Sequence, residues 1–297
     1  MKRITFIVNP ISGLNKDKQI APIIDSVLDK SQFIPTIVYT ERKGHATELA
    51  RQAVAAGEDI VVAVGGDGTL NEVAQELVNT PAVLGLIPMG SGNGLAHHIG
   101  VDTDVKQALK EINYGRVETI DACTIDDRFF ISIAGVGYDA YVAKVFNQIG
   151  KRGFANYAKI ATSTYFNYEP RKYKIICDGK VMEKEAFFIT FANSSQWGYN
   201  TKISPKASLQ DGLIDVCIMK KPPFVLIGGF LTMLFAGMIH KTYTLEIIQA
   251  HEVEVSEIGS KKPMLIHVDG DYCREKSTVC VKNHHNALKM IVGKDAK

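Results

Sequence analysis

The chain has 297 residues, of which 46% are hydrophobic and 22% are charged, as in an ordinary globular protein with enough length for two domains. Its formal net charge of +2, without an arginine-rich stretch, argues against a nucleic acid partner. The five cysteines are odd in number and lack a CxxC spacing, so they predict neither a disulfide framework nor a zinc site and are typical of a reducing cytosol.

The first 120 residues alternate between strand-like and helix-like patterns. Short apolar runs predict strands at 4–8, 36–39, 60–64 and 83–87. Apolar residues at helical spacing predict helices at 20–28, 46–56, 69–78 and 95–99. Thr69 and Glu72 have the spacing of a capping box that would open the third of these helices. We therefore predict a doubly wound α/β domain whose ligands lie at the carboxyl ends of its strands.

The pattern changes after about residue 118, and short strands with turn signals dominate the remainder. Helical sequence at 140–147 and 154–166 interrupts predicted strands at 173–177, 181 onward, 187–192, 214–219, 243–248, 252–258, 264–268, 278–282 and 288–292. Asp178-Gly179 is typical of a hairpin turn. We expect an α/β domain over 1–120, completed by the C-terminal segment 283–297, and a β-sandwich-like domain over 121–282.

The segment Pro222 to Ile239 contains no charged residue. A membrane-spanning helix needs about 20 apolar residues, and the three glycines and two prolines here weaken that interpretation further. We expect no transmembrane span, which leaves a buried core helix or an element at a membrane surface. Lys220 and Lys221 before the segment and His240 and Lys241 after it would suit anionic lipid or solvated helix ends equally well.

Two glycine-rich loops each follow a predicted strand and lead into a predicted helix: Gly65-Gly66-Asp67-Gly68-Thr69 and Gly90-Ser91-Gly92-Asn93-Gly94. Backbone N–H groups at a helix start favour a phosphate, and glycine lets the backbone approach it closely. Asp67 is an acid where an anion should bind, which is explained if a metal ion accompanies the phosphate. A ligand-free turn is the alternative for one such loop, but two in one domain favour Mg-nucleotide chemistry. The chain lacks the GxxxxGK[ST] and GxGxxG patterns, so neither a P-loop nor a Rossmann dinucleotide site is predicted.

These loops belong to a longer series of motifs. The series continues through Asn9-Pro10-Ile11-Ser12-Gly13, Thr40 with Gly44-His45-Ala46, Pro88-Met89-Gly90-Ser91-Gly92-Asn93, Gly135-Val136-Gly137-Tyr138-Asp139-Ala140, Asp211-Gly212-Leu213-Ile214-Asp215 and Val268-Asp269-Gly270-Asp271. Together the motifs resemble the diacylglycerol kinase catalytic family, which includes soluble bacterial lipid kinases and sphingosine and ceramide kinases. The resemblance covers nearly the whole chain in the expected order, although GGDGT alone is shared with NAD kinases.

The resemblance implies a fold like that of NAD kinases and diacylglycerol kinases, with ATP bound by the first domain and the lipid by the second. The implied ATP-binding residues are Asn9, Pro10, Ile11, Ser12, Gly13, Thr40, Gly65, Gly66, Asp67, Gly68, Thr69, Leu70, Asn71, Ser91 and Asn93. It also implies a structural Mg²⁺ held by the Asp211 carboxylate and the carbonyl groups of Ser208 and Leu213, and oxygen ligands suit this ion.

Many members of the family carry a late DGE motif whose glutamate is the proposed base. In this chain Asp271 takes that place, and Asp67 is the alternative base. Such a carboxylate would accept the proton of the lipid hydroxyl, while Mg²⁺ neutralises charge on the phosphates. Lys16, Arg42 and Lys43 lie near the candidate loops and are either phosphate-neutralising cations or solvated surface charges.

The implied function is an ATP- and Mg²⁺-dependent lipid kinase with diacylglycerol as the default acceptor. The run Gly90-Ser91-Gly92-Asn93-Gly94-Leu95-Ala96 is closer to the GSGNALA form of sphingosine kinases than to the GTxNDFA form of soluble bacterial diacylglycerol kinases. A sphingosine, dihydrosphingosine or ceramide acceptor is therefore the alternative. An NAD kinase is less favoured because of the NPISG and PMGSGNG motifs, and a non-catalytic lipid-binding protein because Asp67, Asp211 and Asp271 are intact.

The same reading implies a cytoplasmic enzyme of phospholipid biosynthesis that contacts the inner face of the membrane peripherally. An apolar surface patch would serve a homodimer as well as a membrane.

Overall fold

The computed structural model describes residues 1–13, 17–149, 153–260 and 262–293, which form two units. The first unit comprises Met1–Ile120 and the C-terminal residues from Asn286, and the second comprises Asp121–His285. Within these described ranges, no helix is long and apolar enough to cross a membrane.

The first unit alternates strands and helices along the chain. Its elements are β1 (Lys2–Val8), α1 (Asp17–Val27), β2 (Phe33–Tyr39), α2 (His45–Ala55), β3 (Ile60–Gly65), α3 (Asp67–Leu77), β4 (Val83–Pro88), α4 (Gly94–His98) and α5 (Val105–Tyr114). The strands pair in parallel in the order β2-β1-β3-β4, and the end of the last strand of the chain adds beside β4. Every residue of β3 is buried, as expected for an uninterrupted apolar strand in a parallel sheet. The predicted α/β domain with a parallel sheet is confirmed.

The register of this sheet brings its loops together. Val8 pairs with both Tyr39 and Val64, and Gly65 pairs with Pro88. The carboxyl ends of all four strands therefore meet at one edge, and the loops that follow them emerge side by side. This edge is where ligands bind in open α/β sheets.

The second unit is built mainly from antiparallel strands. The elements that follow α5 are β5 (Arg116–Ile125), β6 (Arg128–Phe130), β7 (Ile133–Gly137), α6 (Tyr138–Ile149), α7 (Phe154–Thr164), β8 (Arg171–Cys177), β9 (Lys180–Ala186), β10 (Phe188–Ala192), β11 (Gln196–Gly198), β12 (Thr201–Lys202), β13 (Ile214–Met219), α8 (Ile227–Phe235), β14 (Leu245–Ala250), β15 (Glu252–Glu257), β16 (Met264–Val268), β17 (Asp271–Lys276) and β18 (Thr278–Val292). Short 3-10 turns cover Tyr165–Asn167, Phe224–Leu226 and Ile239–Lys241.

Two antiparallel sheets enclose the core of this unit. One has the strand order β14-β13-β10-β7-β16-β17, and the other runs β18-β15-β8-β9, with β5 beside β18. Val136 and Phe191 of the first sheet pack in one cluster with Tyr173 and Val255 of the second. The opposite face of the first sheet is covered by a second cluster that includes residues of α6, α7 and α8. The predicted β-sandwich domain is confirmed, and β7, β10 and β13 are buried throughout because both faces of their sheet are covered.

The structure corrects the predicted capping box. Helix α3 begins at Asp67, and Thr69 lies inside it, so the Thr69 hydroxyl does not cap the helix. Glu72 instead accepts hydrogen bonds from the backbone N–H groups of Gly44 (2.9 Å) and Ala46 (3.2 Å). The Glu72 carboxylate therefore stabilises the start of the neighbouring helix α2.

The interpretation of Pro222 to Ile239 as a buried core helix is wrong. The segment forms two 3-10 turns around the nine-residue helix α8, and Leu234 is the only fully buried residue of that helix. The sequence patterns also failed to predict helix α5 and strands β5 to β7, β11, β12 and β17. Burial of both faces of β7 leaves no alternation of polar and apolar residues that could have indicated a strand.

Candidate active site

Asn9 links the loop that follows β1 to the loop that follows β3. Its backbone N–H donates to the carbonyl of Val64 (2.9 Å), and its side-chain Nδ2 donates to Oγ1 of Thr69 (3.0 Å). Its Oδ1 accepts from the N–H of Ile11 (3.2 Å), which closes the turn that follows β1. The loop 9–13 is thereby fixed against the start of helix α3.

The two glycine-rich loops touch through their backbones. A Cβ atom on Gly90 would lie 2.7 Å from Cα of Gly66 and 2.8 Å from Oδ1 of Asn93. A Cβ on Gly66 would lie 3.2 Å from Cα of Gly90, and the N–H of Met89 donates to the carbonyl of Gly65 (2.7 Å). Glycine is required at Gly90, because a side chain there would push the loops apart.

Asp67 links the same two loops through its carboxylate. Oδ2 accepts from the N–H of Asn93 (3.0 Å), and Oδ1 accepts from the N–H of Gly94 (3.1 Å). Asn93 adopts the left-handed conformation (φ 46°), and its side chain bonds both the N–H and the carbonyl of Gly90. Both Asp67 oxygens are thus engaged by backbone N–H groups, which is the geometry of a residue that positions a loop.

The other predicted nucleotide-binding residues lie in the loops at this edge, but their side chains differ in exposure. Ser12, Thr40, Thr69 and Leu70 are buried, so the apolar Leu70 side chain belongs to the core and only its backbone remains for a nucleotide. The more exposed positions are Asn9, Pro10, Ile11, Gly13, Gly66, Gly68, Asn71 and Ser91.

The predicted cations near these loops have different environments. The Arg42 guanidinium lies 2.7 Å from both carboxylate oxygens of Glu48, so its charge is already compensated. Lys43 is also engaged in an interaction. Lys16 lies outside the described residues.

In the second unit, the Asp269-Gly270-Asp271 segment is a tight hairpin. Val268 pairs with Asp271, and the two residues between them, Asp269 (φ 45°) and Gly270 (φ 84°), both have positive φ, as in a type I′ turn. The Asp269 carboxylate accepts three hydrogen bonds from the consecutive N–H groups of residues 131 to 133, at 3.2, 2.9 and 3.0 Å. Asp269 therefore holds the hairpin, whereas Asp271 is exposed at the start of β17.

A buried polar cluster adjoins this hairpin through His267, which lies in the strand that leads into it. Oδ2 of Asp139 accepts from the Thr190 hydroxyl (2.9 Å) and lies 3.0 Å from Nε2 of His267, while Oδ1 accepts from the N–H of Ala140 (2.7 Å). His267 faces Tyr272 across the hairpin. A Cβ on Gly135 would collide with both Asp139 and His267, so glycine is required there. No local sequence pattern pairs His267 with Asp139, so His267 was not predicted from the sequence.

The predicted metal ligands share one turn of the second unit. Oδ1 of Asp211 accepts from the N–H of Leu213 (3.0 Å), and Oγ of Ser208 accepts from the N–H of Gln210 (3.1 Å). The Leu213 carbonyl accepts from Nδ2 of Asn283 (3.2 Å). This turn offers oxygen donors only, and no group of three His, Cys, Asp or Glu side chains in the described ranges could hold a metal ion.

Buried Asp121 organises that turn and was not found from the sequence. Its Oδ2 accepts from the N–H of Gly212 (2.7 Å), and its Oδ1 lies 2.8 Å from Nδ1 of His285. Burial raises the pKa of Asp211 above its usual value; the carboxylates of Asp215 and Asp121 act in the same direction, and the Leu213 N–H opposes them. The turn thus concentrates negative charge, and the oxygen atoms of Ser208, Asp211 and Leu213 suit a hard cation such as Mg²⁺.

Comparisons with known proteins agree with this arrangement. Residues 3–125 match the family described as "Diacylglycerol kinase catalytic domain", and residues 132–292 match the "YegS C-terminal NAD kinase beta sandwich-like domain". The chain is 30% identical to a diacylglycerol kinase of Staphylococcus saprophyticus over 91% of this chain and 89% of the relative. It is also 30% identical to a diacylglycerol kinase of Bacillus subtilis over 92% and 90% of the two chains.

A solved structure of a diacylglycerol kinase from Bacillus anthracis has the same fold, with a TM-score of 0.77 and 19% identity over 100% of this chain and 98% of that one. The protein is thus a lipid kinase in which an α/β domain is joined to a β-sandwich. It belongs to the diacylglycerol kinase family, as the motifs of the sequence indicated.

The contact between the glycine-rich loops can be tested by the substitution Gly90→Ala. The added methyl group would force the backbones of Gly66 and Gly90 apart, and we expect a loss of about 1–3 kcal/mol in the free energy of unfolding, as in overpacked sites. Urea unfolding followed by circular dichroism measures this loss. Ser91→Ala, in the same loop but exposed, is the matched control and should keep wild-type stability. Equal stability of Gly90→Ala and wild type would contradict the close approach of the two loops.

Proposed function

We propose that the protein transfers the γ-phosphate of ATP, with Mg²⁺, to a hydroxyl group of a diacylglycerol-type lipid. The observation that carries this proposal is the contact of the two glycine-rich loops at Gly66 and Gly90, bridged by Asp67 at the carboxyl edge of the parallel sheet. Loops of this kind suit phosphate groups, because glycine permits close backbone approach. The start of the eleven-residue helix α3 adds a favourable dipole for an anion. The diacylglycerol kinases among its relatives support the choice of acceptor.

In this proposal the nucleotide is bound by residues of the first unit only. The edge of the sheet is surrounded by the loop 9–13, Thr40, the loop 65–71, Ser91 and Asn93. Asp67 positions the second glycine-rich loop and does not act as the base. Asn9 fixes the first loop through Thr69. Preorganised backbone donors of this kind stabilise developing charge without reorganisation.

The turn of the second unit that contains Asp211 would hold a structural Mg²⁺ through the Asp211 carboxylate and the carbonyl groups of Ser208 and Leu213. A bound cation there would offset the negative charge shared by Asp211, Asp215 and Asp121 and so fix the turn. Asp121 prepares the site by binding the N–H of Gly212.

Asp271 is the proposed general base. It would accept the proton of the lipid hydroxyl as that oxygen forms its bond to the γ-phosphorus, while the bond from phosphorus to the bridging oxygen breaks and ADP leaves. The exposure of Asp271 and the hairpin that carries it favour this role. The two backbone hydrogen bonds to the Asp67 carboxylate favour a positioning role for that residue. Asp269 and the Asp139–His267 pair would act as positioning residues for the hairpin.

A sphingoid acceptor is the second candidate, and the loop around Gly92 favours it. A Cβ on Gly92 would lie 2.9 Å from Oδ2 of Asp67, so this loop is built for glycine, as in the GSGNALA form of sphingosine kinases. We do not propose NAD as the acceptor, because the relatives over most of the chain are named diacylglycerol kinases.

We further propose that the enzyme acts from the cytoplasm at the inner face of the membrane, in phospholipid biosynthesis, because its acceptor resides in the bilayer.

Transfer of labelled γ-phosphate from Mg-ATP to lipids in mixed micelles tests the function directly. The panel contains diacylglycerol, monoacylglycerol, sphingosine, dihydrosphingosine and ceramide, with NAD as a control. We expect label on diacylglycerol. Label on a sphingoid base alone would select the second candidate, and the absence of any labelled lipid would overturn the proposal.

The roles of the two carboxylates can be separated by Asp271→Asn and Asp67→Asn. Loss of a general base costs about 10²–10⁴-fold in rate, so Asp271→Asn should lower kcat by that factor while the thermal midpoint stays unchanged. Asp67→Asn should lower the thermal midpoint and raise KM for ATP, because a neutral amide binds the Asn93 and Gly94 N–H groups less well. Steady-state kinetics and thermal unfolding of both variants provide the measurement. Near wild-type turnover of Asp271→Asn, with loss of turnover in a thermally unchanged Asp67→Asn, would assign the base to Asp67.

A further inference from the structure

The second unit exposes an unusually apolar surface around helix α8. Val225 is 87% exposed and Phe224 is 50% exposed, although both side chains are fully apolar. We call this surface the α8 patch, and its exposed members are Phe166, Phe224, Val225, Leu226, Leu231, Phe235 and Met238. The rings of Phe166 and Phe224 are in contact, with centroids 4.7 Å apart, so the 3-10 turn after α7 is continuous with the patch. A group of exposed apolar side chains on one helix and its flanking turns is typical of an interaction site.

The patch arises because α8 is apolar around its whole circumference. Ile227, Phe230 and Met233 are partly buried against the core cluster that contains Leu234. The core therefore uses one face of the helix, and the opposite face carries side chains such as Leu231 that have no partner in the core. A helix that is hydrophobic all round is normally buried in a core or in a membrane.

Two hydroxyl groups in and beside this helix donate to backbone carbonyls. The Thr232 hydroxyl donates to the carbonyl of Gly228 (3.0 Å), one turn earlier in the helix. The Tyr165 hydroxyl donates to the carbonyl of Pro222, at the start of the segment. Unsatisfied polar groups are costly in hydrocarbon, so this internal pairing suits contact with acyl chains.

One border of the patch is basic. A Cβ on Gly237, just past the end of α8, would lie 3.2 Å from Cδ of Lys202 and 3.9 Å from Cβ of Pro205, so Lys202 lies close to this end of the helix. Lys206 follows Pro205 in the chain and is exposed. Lys241 follows in the next 3-10 turn. Within the ranges that the structure describes, the amines of these three lysines form no ion pair with a carboxylate. Their charge is available to anionic groups outside the chain.

We propose that the α8 patch docks the enzyme onto an anionic lipid bilayer. The apolar side chains enter the boundary between headgroups and acyl chains, and Lys202, Lys206 and Lys241 contact the negatively charged headgroups. This inference rests on the proposed function for its choice of partner, because a lipid acceptor is reached from the bilayer. A two-fold dimer through the patch is less favourable, since the patch would bring two copies of the same basic border together.

Flotation with vesicles tests the docking surface. The full chain is mixed with vesicles of phosphatidylcholine and phosphatidylglycerol, and the bound fraction is measured for wild type and for the double variant Leu231→Asp/Phe235→Asp. We expect at least about a tenfold loss of binding, because two apolar side chains that would enter the bilayer become charged. Val181→Asp, at an exposed apolar position on β9, is the matched control and should bind as wild type.

The basic border is tested separately with Lys202→Glu and Lys241→Glu. Each substitution should lower binding to vesicles containing phosphatidylglycerol by about fivefold or more, because each lysine near an anionic surface contributes on that scale. Binding to pure phosphatidylcholine should change little. Added salt should weaken wild-type binding to the anionic vesicles.

Two further readouts separate this inference from the proposed function. Circular dichroism and phosphate transfer to a water-dispersed short-chain diacylglycerol show whether the double variant is folded and active, and both should match wild type. Wild-type vesicle binding by the folded double variant would overturn the docking surface. So would a wild-type dimer that becomes monomeric in the double variant while vesicle binding persists. If no lipid is phosphorylated yet binding requires the α8 patch, the proposed function fails and the docking surface stands.

Discussion

The backbone contact between Gly66 and Gly90 is the constraint on which the candidate site depends. The two loops can touch only because neither residue carries a side chain, and the parallel register of β3 and β4 delivers both loops to the same edge. Asp67 then fixes their spacing by accepting the N–H groups of Asn93 and Gly94. The acidic residue in this loop is therefore explained by its role in joining the two loops, and in the proposed function the glycine backbone faces a phosphate.

The second unit uses its aspartates in pairs with divided roles. Buried Asp121 binds the N–H of Gly212 and so holds the turn that presents exposed Asp211. In the same way, Asp269 binds three consecutive backbone N–H groups and holds the hairpin that presents exposed Asp271. In each pair one carboxylate holds the local backbone, and its neighbour is exposed to solvent. Because of this division, one short acidic motif can both fix the local backbone and present an exposed carboxylate.

The sequence predicted features that are local and missed those that depend on contacts between distant residues. The strand and loop around Gly65 follow from an apolar run and the glycines that end it. The spacing of Thr69 and Glu72 suggested a capping box, but Glu72 binds helix α2 instead, and only the packing of the two helices brings these groups together. Asp121 could not be identified as an organiser of the Asp211 turn, since the two lie about ninety residues apart in the chain. The uncharged sequence around α8 likewise could not reveal which face the core leaves exposed.

Hydrogen–deuterium exchange with a non-hydrolysable ATP analogue and Mg²⁺ tests the central claim most directly. We expect the amides of both glycine-rich loops, residues 65–69 and 90–94, to become protected together and over the same range of analogue concentration. Because Asp67 couples the two loops, the Asp67→Asn variant should no longer show protection of both loops together. Protection of only one loop, or protection confined to the second unit, would contradict the claim that these two loops form a single phosphate-binding element.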